Sequence, residues 1–517
     1  MDKTYDVIVA GAGPVGLLLA CELGLAGASV VVLERDGDPS SAWKTNPVGM
    51  RGLHLPSMEL LYRRGLLGKL YDMAERPHSV PKGPGFTFGG HFAGIPLNLH
   101  KLDLSRWKYR LPGPSLMPAP TSIDRIEAVL AERAESLGVT ILRGHPFGKI
   151  VAEDDTGITV ETAGNDAQTF RGRWLVGCDG GHSAVRKAAG IDFVGTQATL
   201  TGYVVHCDLD EPEKLAPGFQ PTKAGMYIFR KPDAVYLMDF DEGAGRDAEL
   251  TPERLQQVMD RVTGKTDVRM TKVHLASAFT DRGKQAKEYR KGRVLLAGDA
   301  AHIHPPLGAQ GMNTGLGDAL NLGWKLAATV RKEKAQGGGS DFALLDTYQR
   351  ERYPIGEFVL DWNRAQVAAL QPNETGYAVM KLMRDLIATT DGANHFIDRV
   401  WGLSQRYDLG EGVPDVVGRS APDIPLSDGT RLGPKMETGR GLLVDFSGDE
   451  TLKGLVADGR YKDRVEYMSV DADNKLGIRA MLIRPDGFVA WAVDEGSEAD
   501  MDACKDALEK WFGFWEF

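Results

Sequence analysis

The sequence predicts an α/β protein of more than one domain, and three observations carry this prediction. Residues 5–34 read as a strand, a glycine-rich turn, a helix and a second strand, the beginning of a parallel sheet. Residues 200–280 alternate apolar, β-rich runs with turn residues, which predicts a sheet layer inserted into the α/β domain. Residues 410–429 are rich in Gly, Pro and Asp and precede further strand and helix patterns, which predicts a smaller C-terminal α/β unit.

Composition and charge restrict the classes of function. A chain of 517 residues, 42% hydrophobic and 26% charged, has the composition of a globular protein and exceeds one ordinary core. The net charge of -10 and the lack of a polybasic run argue against a nucleic-acid partner. Four separated cysteines without a CxxC pair predict neither a disulfide framework nor a cysteine zinc site, which fits the cytoplasm. Asp6 and Glu22 interrupt the apolar start, so no membrane segment or signal peptide is expected.

The first chemical motif is GAGPVG at residues 11–16, a GxGxxG pattern between a predicted strand and a predicted helix. The first glycine allows the tight turn, the second lets the backbone approach a pyrophosphate, and the third lets helix and strand pack closely. Glu34 ends the next strand, where its carboxylate can accept hydrogen bonds from ribose hydroxyls and disfavours a 2′-phosphate. The segment predicts a Rossmann-like site for an FAD- or NAD-type ADP group rather than a purely structural turn. Its predicted contacts are Gly11, Gly13, Pro14, Val15, Gly16, Glu34 and Arg35.

A second motif, DGGHSAVR, follows the strand-like run RWLVGC and opens a helix. Its tight glycine turn and the Arg186 guanidinium are suited to phosphate oxygens, which predicts Asp179 and Arg186 as cofactor contacts. The alternative is structural: Ser183 would cap the helix, and Arg186 would pair with Asp179.

The third motif is AGDAAHIHPPLGAQGMN, residues 297–313. Asp299 ends a predicted strand, where its carboxylate can accept hydrogen bonds from a polyol chain, and Pro305 fixes the extended approach that follows. Gly311, Met312 and Asn313 lead into a helix predicted over residues 313–332, whose N-terminal N–H groups favour negative charge, such as that of a reduced flavin. A metal site at the two histidines, residues 302 and 304, is not expected because no third ligand accompanies them.

Together and in this order, GAGPVG with Glu34, DGGHSAVR and GDAAHIHPPLGAQGMN resemble the FAD-dependent aromatic hydroxylases, the group A flavoprotein monooxygenases. LDTYQRERYPIG (345–356) is similar to the following helix of that family. The tail resembles the thioredoxin-like C-terminal domain of its larger members. LIRPDGFVAW and ALEKWFG are similar to the hydroxylases of aromatic polyketides.

The resemblance implies an FAD-binding domain formed by residues 1–75, 121–189 and 286–405. Residues 76–120 and 190–285 would form a substrate-binding β-layer, and residues 410–517 a thioredoxin-like domain that lacks CxxC. Such a domain would be structural and could support a homodimer. RKEKAQGGGSD (331–341) is interpreted as a loop between two helices rather than as a domain boundary.

The resemblance also implies the chemistry. NADPH or NADH reduces bound FAD, O₂ adds to form a C4a-hydroperoxide, and the distal oxygen attacks an electron-rich ring carbon, so no protein nucleophile is needed. Pro305 and Gly311 would position the reacting face of the flavin. Asp299 would contact the ribityl and pyrophosphate region, and Gly311, Met312 and Asn313 the isoalloxazine.

The sequence departs from the family pattern at two positions. An arginine usually follows the second strand in a pattern such as PRA, but here Gly49 takes that place, so either Arg51 replaces it or the loop differs. A glutamine is common before the middle helix, whereas this chain offers Arg125 as a substitute.

The leading hypothesis is hydroxylation of a phenolic or polycyclic aromatic. Baeyer–Villiger or epoxidation chemistry on the same fold is a second enzymatic reading. A non-catalytic dinucleotide-binding protein is the alternative of another class, but ADP binding alone would not require the third motif. A halogenase is not favoured because no WxWxI segment is present.

Overall fold

The computed structural model describes residues 4–336, 341–457, 459–461 and 463–513. The strands are β1 (Thr4–Ala10), β2 (Val30–Glu34), β3 (Met50–Leu53), β4 (Phe88–Phe92), β5 (Ile95–Asn98), β6 (Ala119–Ser122), β7 (Thr140–Arg143), β8 (Phe147–Asp154), β9 (Gly157–Thr162), β10 (Thr169–Gly177), β11 (Phe193–Gly195), β12 (Thr201–Asp210), β13 (Gly218–Pro221), β14 (Gly225–Arg230), β15 (Ala234–Asp239), β16 (Arg269–Thr280), β17 (Lys284–Ala286), β18 (Arg290–Lys291), β19 (Val294–Leu296), β20 (His302–Ile303), β21 (Gly441–Asp445), β22 (Val465–Ser469), β23 (Ile478–Ile483) and β24 (Val489–Asp494).

The helices are α1 (Pro14–Leu25), α2 (Leu55–Arg63), α3 (Leu67–Leu70), α4 (Ile123–Ser136), α5 (Ala184–Ala188), α6 (Pro252–Thr263), α7 (Gln310–Ala335), α8 (Ala343–Leu370), α9 (Glu374–Ala388), α10 (Thr390–Trp401), α11 (Glu450–Ala457) and α12 (Met501–Phe512). Residues 337–340 of the predicted loop lie outside the described residues, and α7 and α8 flank them. None of the helices in the described ranges is long and apolar enough to cross a membrane.

The largest sheet has the strand order β18-β19-β10-β1-β2-β7. β19, β10, β1, β2 and β7 run parallel, while β9 joins β10 and β8 joins β9 in antiparallel pairs. The residues of β1 from Tyr5 onward are buried, as expected for a central strand with both faces covered. α1 packs against α4 and α7. Because parallel strands end at one edge, Ala10, Gly177 and Leu296 bring the turns after β1, β10 and β19 together.

The second sheet is antiparallel, in the order β13-β14-β15-β12-β16, and is inserted between α5 and α7 in the chain. One group of its side chains, including Tyr203 and Phe229, forms a core with α6. Met226 and Met238 belong instead to a core shared with α8, α10 and the loop before α7. The alternation of side chains along each strand therefore divides this layer between two cores.

The C-terminal sheet has the order β22-β21-β23-β24. β21 and β22 are parallel, and β23 and β24 join in antiparallel pairs, which is the arrangement of a thioredoxin-like core with α11 and α12. Cys504 is buried in α12. The α/β fold class predicted from the sequence is confirmed.

Candidate active site

The turn after β1 is built for close backbone approach. Gly11 has φ +104°, and a Cβ atom there would lie 2.5 Å from the carbonyl oxygen of Cys178. A Cβ atom on Gly16 would lie 2.0 Å from the carbonyl oxygen of Gly11, so the first turn of α1 can pack this closely on the turn after β1 only with glycine there. A Cβ atom on Gly13 would meet nothing within 4 Å, which leaves open space at the N-terminus of α1. Pro14 is in the first turn, and no side chain in the described part of the protein caps this helix, so its N–H groups are available to an anion.

Glu34 closes this turn at the end of β2. Its Oε2 accepts a hydrogen bond from the N–H of Ala12 at 2.6 Å, and its Oε1 accepts one from the N–H of Asp36 at 2.9 Å. A carboxylate has about four lone-pair sites, so two backbone donors leave capacity for ribose hydroxyls. Arg35 is exposed, with Nε 3.4 Å from Oδ1 of Asp36.

The second motif forms a network of caps. Asp179 Oδ1 accepts from the Ser183 hydroxyl at 2.5 Å, and Oδ2 accepts from the N–H groups of residues 184 and 185. Ser183 caps α5 by accepting from the N–H of Arg186 at 2.9 Å. The Arg186 side chain donates to the carbonyls of Gly181 and Ala300 and stacks on the ring of Phe193. These contacts correspond to the structural alternative for Ser183, while Arg186 ties the second motif to the third rather than pairing with Asp179. Its contact with a pyrophosphate stays a prediction.

Asp299 lies just beyond β19, in a short 3₁₀ turn at Gly298–Ala300. It is exposed although both neighbours are buried, and none of the described residues donates a hydrogen bond to its carboxylate. A Cβ atom placed on Gly311 would lie 3.8 Å from Oδ1 of Asp299, so this carboxylate faces the beginning of α7. Burial lowers the pKa of Arg51, and the negative charge of Asp299 acts against this lowering.

The position of that turn depends on a buried ionic cluster. Asp318 of α7 accepts hydrogen bonds from Gly298 N–H at 3.0 Å, from His302 Nε2 at 2.7 Å and from Arg352 Nε at 2.8 Å. Burial by itself would raise the pKa of Asp318, but the charges of His302 and Arg352 outweigh it and hold the pKa below its usual value. Arg352 also donates to the Tyr407 hydroxyl at 3.0 Å. His302 is thus an anchor of the third motif, and among the described residues no group of three or more His, Cys, Asp or Glu side chains is arranged to hold a metal.

Helix α7 begins at Gln310, after Ala309 in a left-handed conformation with φ 55°. The N–H groups of its first turn, which include those of Gly311 and Met312, have no intrahelical acceptor. The Asn313 side chain is fully used by the protein. Its oxygen accepts from the His54 N–H at 2.8 Å and the Ser57 hydroxyl at 2.7 Å, and its nitrogen donates to two carbonyls, those of residues 52 and 309.

Pro305 and His304 lie on the loop that leads from Asp299 to α7. Pro305 is buried, and its carbonyl accepts hydrogen bonds from Leu307 N–H at 2.7 Å and from His304 Nδ1 at 2.9 Å. His304 Nε2 is buried and has no hydrogen-bond partner among the described residues, and it would lie 3.4 Å from a Cβ atom on Gly311. Burial lowers the pKa of His304, which favours the neutral ring. An orphaned nitrogen beside the α7 N-terminus is a feature that a bound polar group would satisfy.

The loop before β3 differs from the family pattern. A Cβ atom on Gly49 would lie 2.0 Å from the carbonyl carbon of Lys44, so this turn cannot hold the arginine that the family places there. Arg51 sits on β3 and donates to the carbonyls of Val48 and Met50 at 3.0 and 2.9 Å. Arg125 is exposed on the first turn of α4. Cofactor contacts by Arg51 and Arg125 stay predictions.

Comparison with known protein families covers nearly the whole chain. Residues 4–363 match the family model of an FAD binding domain, and residues 415–514 match the model described as aromatic-ring hydroxylase, C-terminal. The chain belongs to the FAD-dependent aromatic hydroxylases.

Relatives of this hydroxylase align over almost their full length. A Claviceps purpurea protein described as a monooxygenase is 48% identical, over 98% of this chain and 97% of that protein. The 12-dehydrotetracycline 5-monooxygenase/anhydrotetracycline 6-monooxygenase of Streptomyces rimosus is 37% identical, over 98% of this chain and 99% of the relative. The structure of OxyS anhydrotetracycline hydroxylase from Streptomyces rimosus superposes with a TM-score of 0.84 at 34% identity, covering 99% of both chains.

The residues of this hydroxylase fit FAD. At Gly11 and Gly16 the backbone packs too closely on its neighbours for any side chain. The Asp299 carboxylate accepts no hydrogen bond from the described residues, and it faces the first turn of α7, whose N–H groups have no acceptor within the helix. The predicted site residues thus come together at the edge formed by β1, β10 and β19, with Arg125 on the surface of α4.

Sequence reasoning missed the residues that hold this edge in place, Asp318 and Arg352, and the ties of His54 and Ser57 to Asn313. A charged residue on the buried side of α7, which is apolar around Asp318, was the available signal for the first of these.

Proposed function

We propose that this enzyme hydroxylates a polycyclic phenolic or quinonoid aromatic of the polyketide type, with NADPH or NADH as electron donor and O₂ as the source of oxygen. The relatives support this substrate class, since OxyS is described as an anhydrotetracycline hydroxylase. When bound, FAD supplies the redox chemistry: it accepts hydride from the nicotinamide and passes one oxygen atom from O₂ to the ring.

One observation carries the proposal: the inserted sheet meets the loop that follows Asp299. Leu307, two residues after Pro305, lies in the same buried cluster as Met226 and Met238 of the inserted sheet and Leu200 before it. An apolar wall beside the predicted cofactor seat is the surface that a ring system would contact, and it excludes water from the reacting centre.

Gln366 of α8 connects the loop of Leu307 to the turn between β4 and β5. Its Oε1 accepts from Ala93 N–H at 2.9 Å, and its Nε2 donates to the Leu307 carbonyl at 3.4 Å. Gln366 is fully buried, so both bonds form in an apolar surrounding where an unpaired amide would be costly. The residue therefore positions the loop of Pro305 against the inserted sheet.

Asp299 and the first turn of α7 would orient the cofactor. The carboxylate is suited to accept hydrogen bonds from a polyol chain, and the N–H groups of Gly311 and Met312 lie at the positive end of a long helix. Preorganised donors of this kind stabilise negative charge as it develops, and removing one costs about 3 kcal/mol in other enzymes.

The test measures cofactor, turnover and product separately. Purified protein should be yellow and release FAD on denaturation, and colourless protein that FAD cannot reconstitute would refute the proposal. Anhydrotetracycline, 1-naphthol and phenol are compared for stimulation of NADPH and NADH oxidation under ¹⁸O₂. We expect the tetracyclic compound to give a product carrying one labelled oxygen on a ring carbon, whereas a ring-expanded lactone would indicate Baeyer–Villiger chemistry. Light scattering on the same sample tests the homodimer.

A further inference from the structure

A cavity of about 400 Å³ lies between four helices: α2, the N-terminal part of α7, the middle of α8 and the end of α10. Ser420, Asp486 and Phe488 close it from the C-terminal part of the chain. Asp299, Arg51 and Pro305 do not line it, whereas Asn313 does. The cavity therefore lies behind the predicted flavin seat, at the beginning of α7, and it shares Val400 and Trp401 with the core beneath the inserted sheet.

The middle of the cavity is apolar and aromatic. It is lined by Leu60, Leu320, Val359, Trp401, Tyr407 and Phe488. The rings of Tyr407 and Phe488 have centroids 4.3 Å apart, so they form a continuous aromatic surface. A volume in this range and a lining of this kind are typical of sites for small ring systems.

The inner end presents a hydrogen-bond donor that the protein does not use. Gln310 is 5% exposed and lines the cavity. Its Oε1 accepts from Asn363 Nδ2 at 3.2 Å, and this orientation of Asn363 is fixed by a second bond from Nδ2 to the Val359 carbonyl at 2.8 Å. None of the described residues accepts a hydrogen bond from Gln310 Nε2. An amide donor that the protein leaves unused, on a residue that lines a cavity, can donate to a ligand oxygen there.

The charges along one wall favour an electron-rich oxygen as well. Glu59 accepts from Arg110 at 2.7 Å and from the Ser420 hydroxyl at 2.7 Å, and Arg63 donates to that hydroxyl at 2.7 Å. Arg63 Nη2 also lies 3.9 Å from Glu59 Oε2. The described lining of the cavity as a whole contains five arginines and three carboxylates, which is an excess of positive charge. At the outer end Phe358 is 41% exposed, so the cavity opens to solvent between α8 and α10.

We propose that this cavity is a second binding site of the enzyme, for a planar aromatic molecule that bears a phenolic or carbonyl oxygen. The rings occupy the aromatic middle, and the oxygen accepts a hydrogen bond from Gln310 Nε2. The site reaches the predicted flavin seat through His54 and Ser57, which line the cavity and hold the Asn313 side chain at 2.8 and 2.7 Å. Substrates and products of an aromatic hydroxylase share this ligand chemistry.

The test is a calorimetric titration of FAD-loaded enzyme without nicotinamide, so that no turnover occurs. The probes are 2-naphthol and 2,3-dihydroxynaphthalene, which represent a substrate-like and a product-like ligand. Ile355→Trp places a larger ring at a cavity-lining position of α8, and Ala365→Trp adds the same ring at an exposed position of the same helix that does not line the cavity.

We expect the number of bound probe molecules per chain to fall by one in Ile355→Trp and to equal the wild type in Ala365→Trp. Gln310→Leu should weaken this same site at least tenfold, which tests the donor without filling the cavity. Unchanged stoichiometry in Ile355→Trp would overturn the proposal, as would occupation of the site by decanoate and not by either naphthol. The readout is independent of hydroxylation, so failure of the proposed function would leave this result unaffected.

Discussion

The strongest structural prediction concerns Asp318, whose carboxylate is fully buried beneath the turn that carries Asp299. Asp318→Asn keeps the shape of the side chain but removes its charge. Arg352, whose side chain is 2% exposed, then keeps its positive charge without the ion pair at 2.8 Å. Removing one partner of a buried ion pair typically costs about 3–5 kcal/mol, and we expect the free energy of unfolding to fall by that amount.

Urea unfolding monitored together with FAD release measures this effect. Glu132→Gln is the matched control, because its ion pair with Lys69 is 66% and 50% exposed and should cost less than about 1 kcal/mol. Arg352→Met in the Asp318→Asn background should recover part of the loss, since it removes the uncompensated charge. Because Asp318 also holds the N–H of Gly298, FAD affinity should fall as well. A loss below about 1 kcal/mol in Asp318→Asn would show that the buried charge is compensated elsewhere and that the reasoning is wrong.

The same cluster predicts a pH dependence. The folded pKa of Asp318 lies below its usual value because His302 and Arg352 outweigh the effect of burial. Its contribution to stability is therefore present above the unfolded pKa of about 3.9 and is lost as the pH falls through the folded value. Wild-type protein should lose stability more steeply than Asp318→Asn below about pH 4. Parallel acid titrations would contradict this expectation.

Three further predictions address other parts of the structure. Asp299→Ala should weaken FAD binding about 10- to 100-fold by removing charge-assisted hydrogen bonds, while Asp506→Ala in α12 should not, as measured by flavin fluorescence. Gly49→Ala should destabilise the enzyme by about 1–3 kcal/mol, because its Cβ would lie 2.0 Å from a backbone carbon. Gly37→Ala is the control, since a Cβ atom there meets nothing within 4 Å, and equal melting temperatures of the two variants would refute the prediction. Burial lowers the pKa of Lys325 to about 7 in the folded protein. Between about pH 7 and 10.4 the Lys325 amine therefore carries a proton in the unfolded chain but not in the folded one, so the free energy of unfolding should rise with pH over this range. Lys325→Met should abolish that rise in unfolding measurements at pH 7 and 9, and an unchanged slope would count against it.

Short-range patterns explain why the sequence could predict that the glycine turn and Asp299 lie at one edge of the sheet. Gly11 and Gly16 are close in the chain, and their spacing is required by one strand–turn–helix unit. The same holds for Asp299, since a residue just beyond a buried parallel strand must lie at the carboxyl edge of the sheet. The family resemblance then rested on the order of such local units.

Local patterns could not decide which residues from distant segments meet. Gly49 was recognised as a departure, but only the structure shows that the Lys44 backbone closes against it. The motif indicated Asn313 as a cofactor contact, which stays a prediction, and only the structure shows that its side chain holds α2 to α7. A side chain's partner depends on the packing of whole elements, and spacing along the sequence does not contain that information.

The sequence by itself determined the α/β class and the meeting of the glycine turn and Asp299 at one sheet edge, because backbone geometry fixes neighbouring residues relative to one another. The order of its motifs indicated the family by resemblance. Tertiary structure alone decided the cluster of Asp318, His302 and Arg352, which joins residues 16 and 34 positions apart. It also decided the cavity behind the predicted flavin seat, whose walls come from α2, α7, α8, α10 and the C-terminal part of the chain. A void between elements is set by how their faces pack, so no single segment carries its signature.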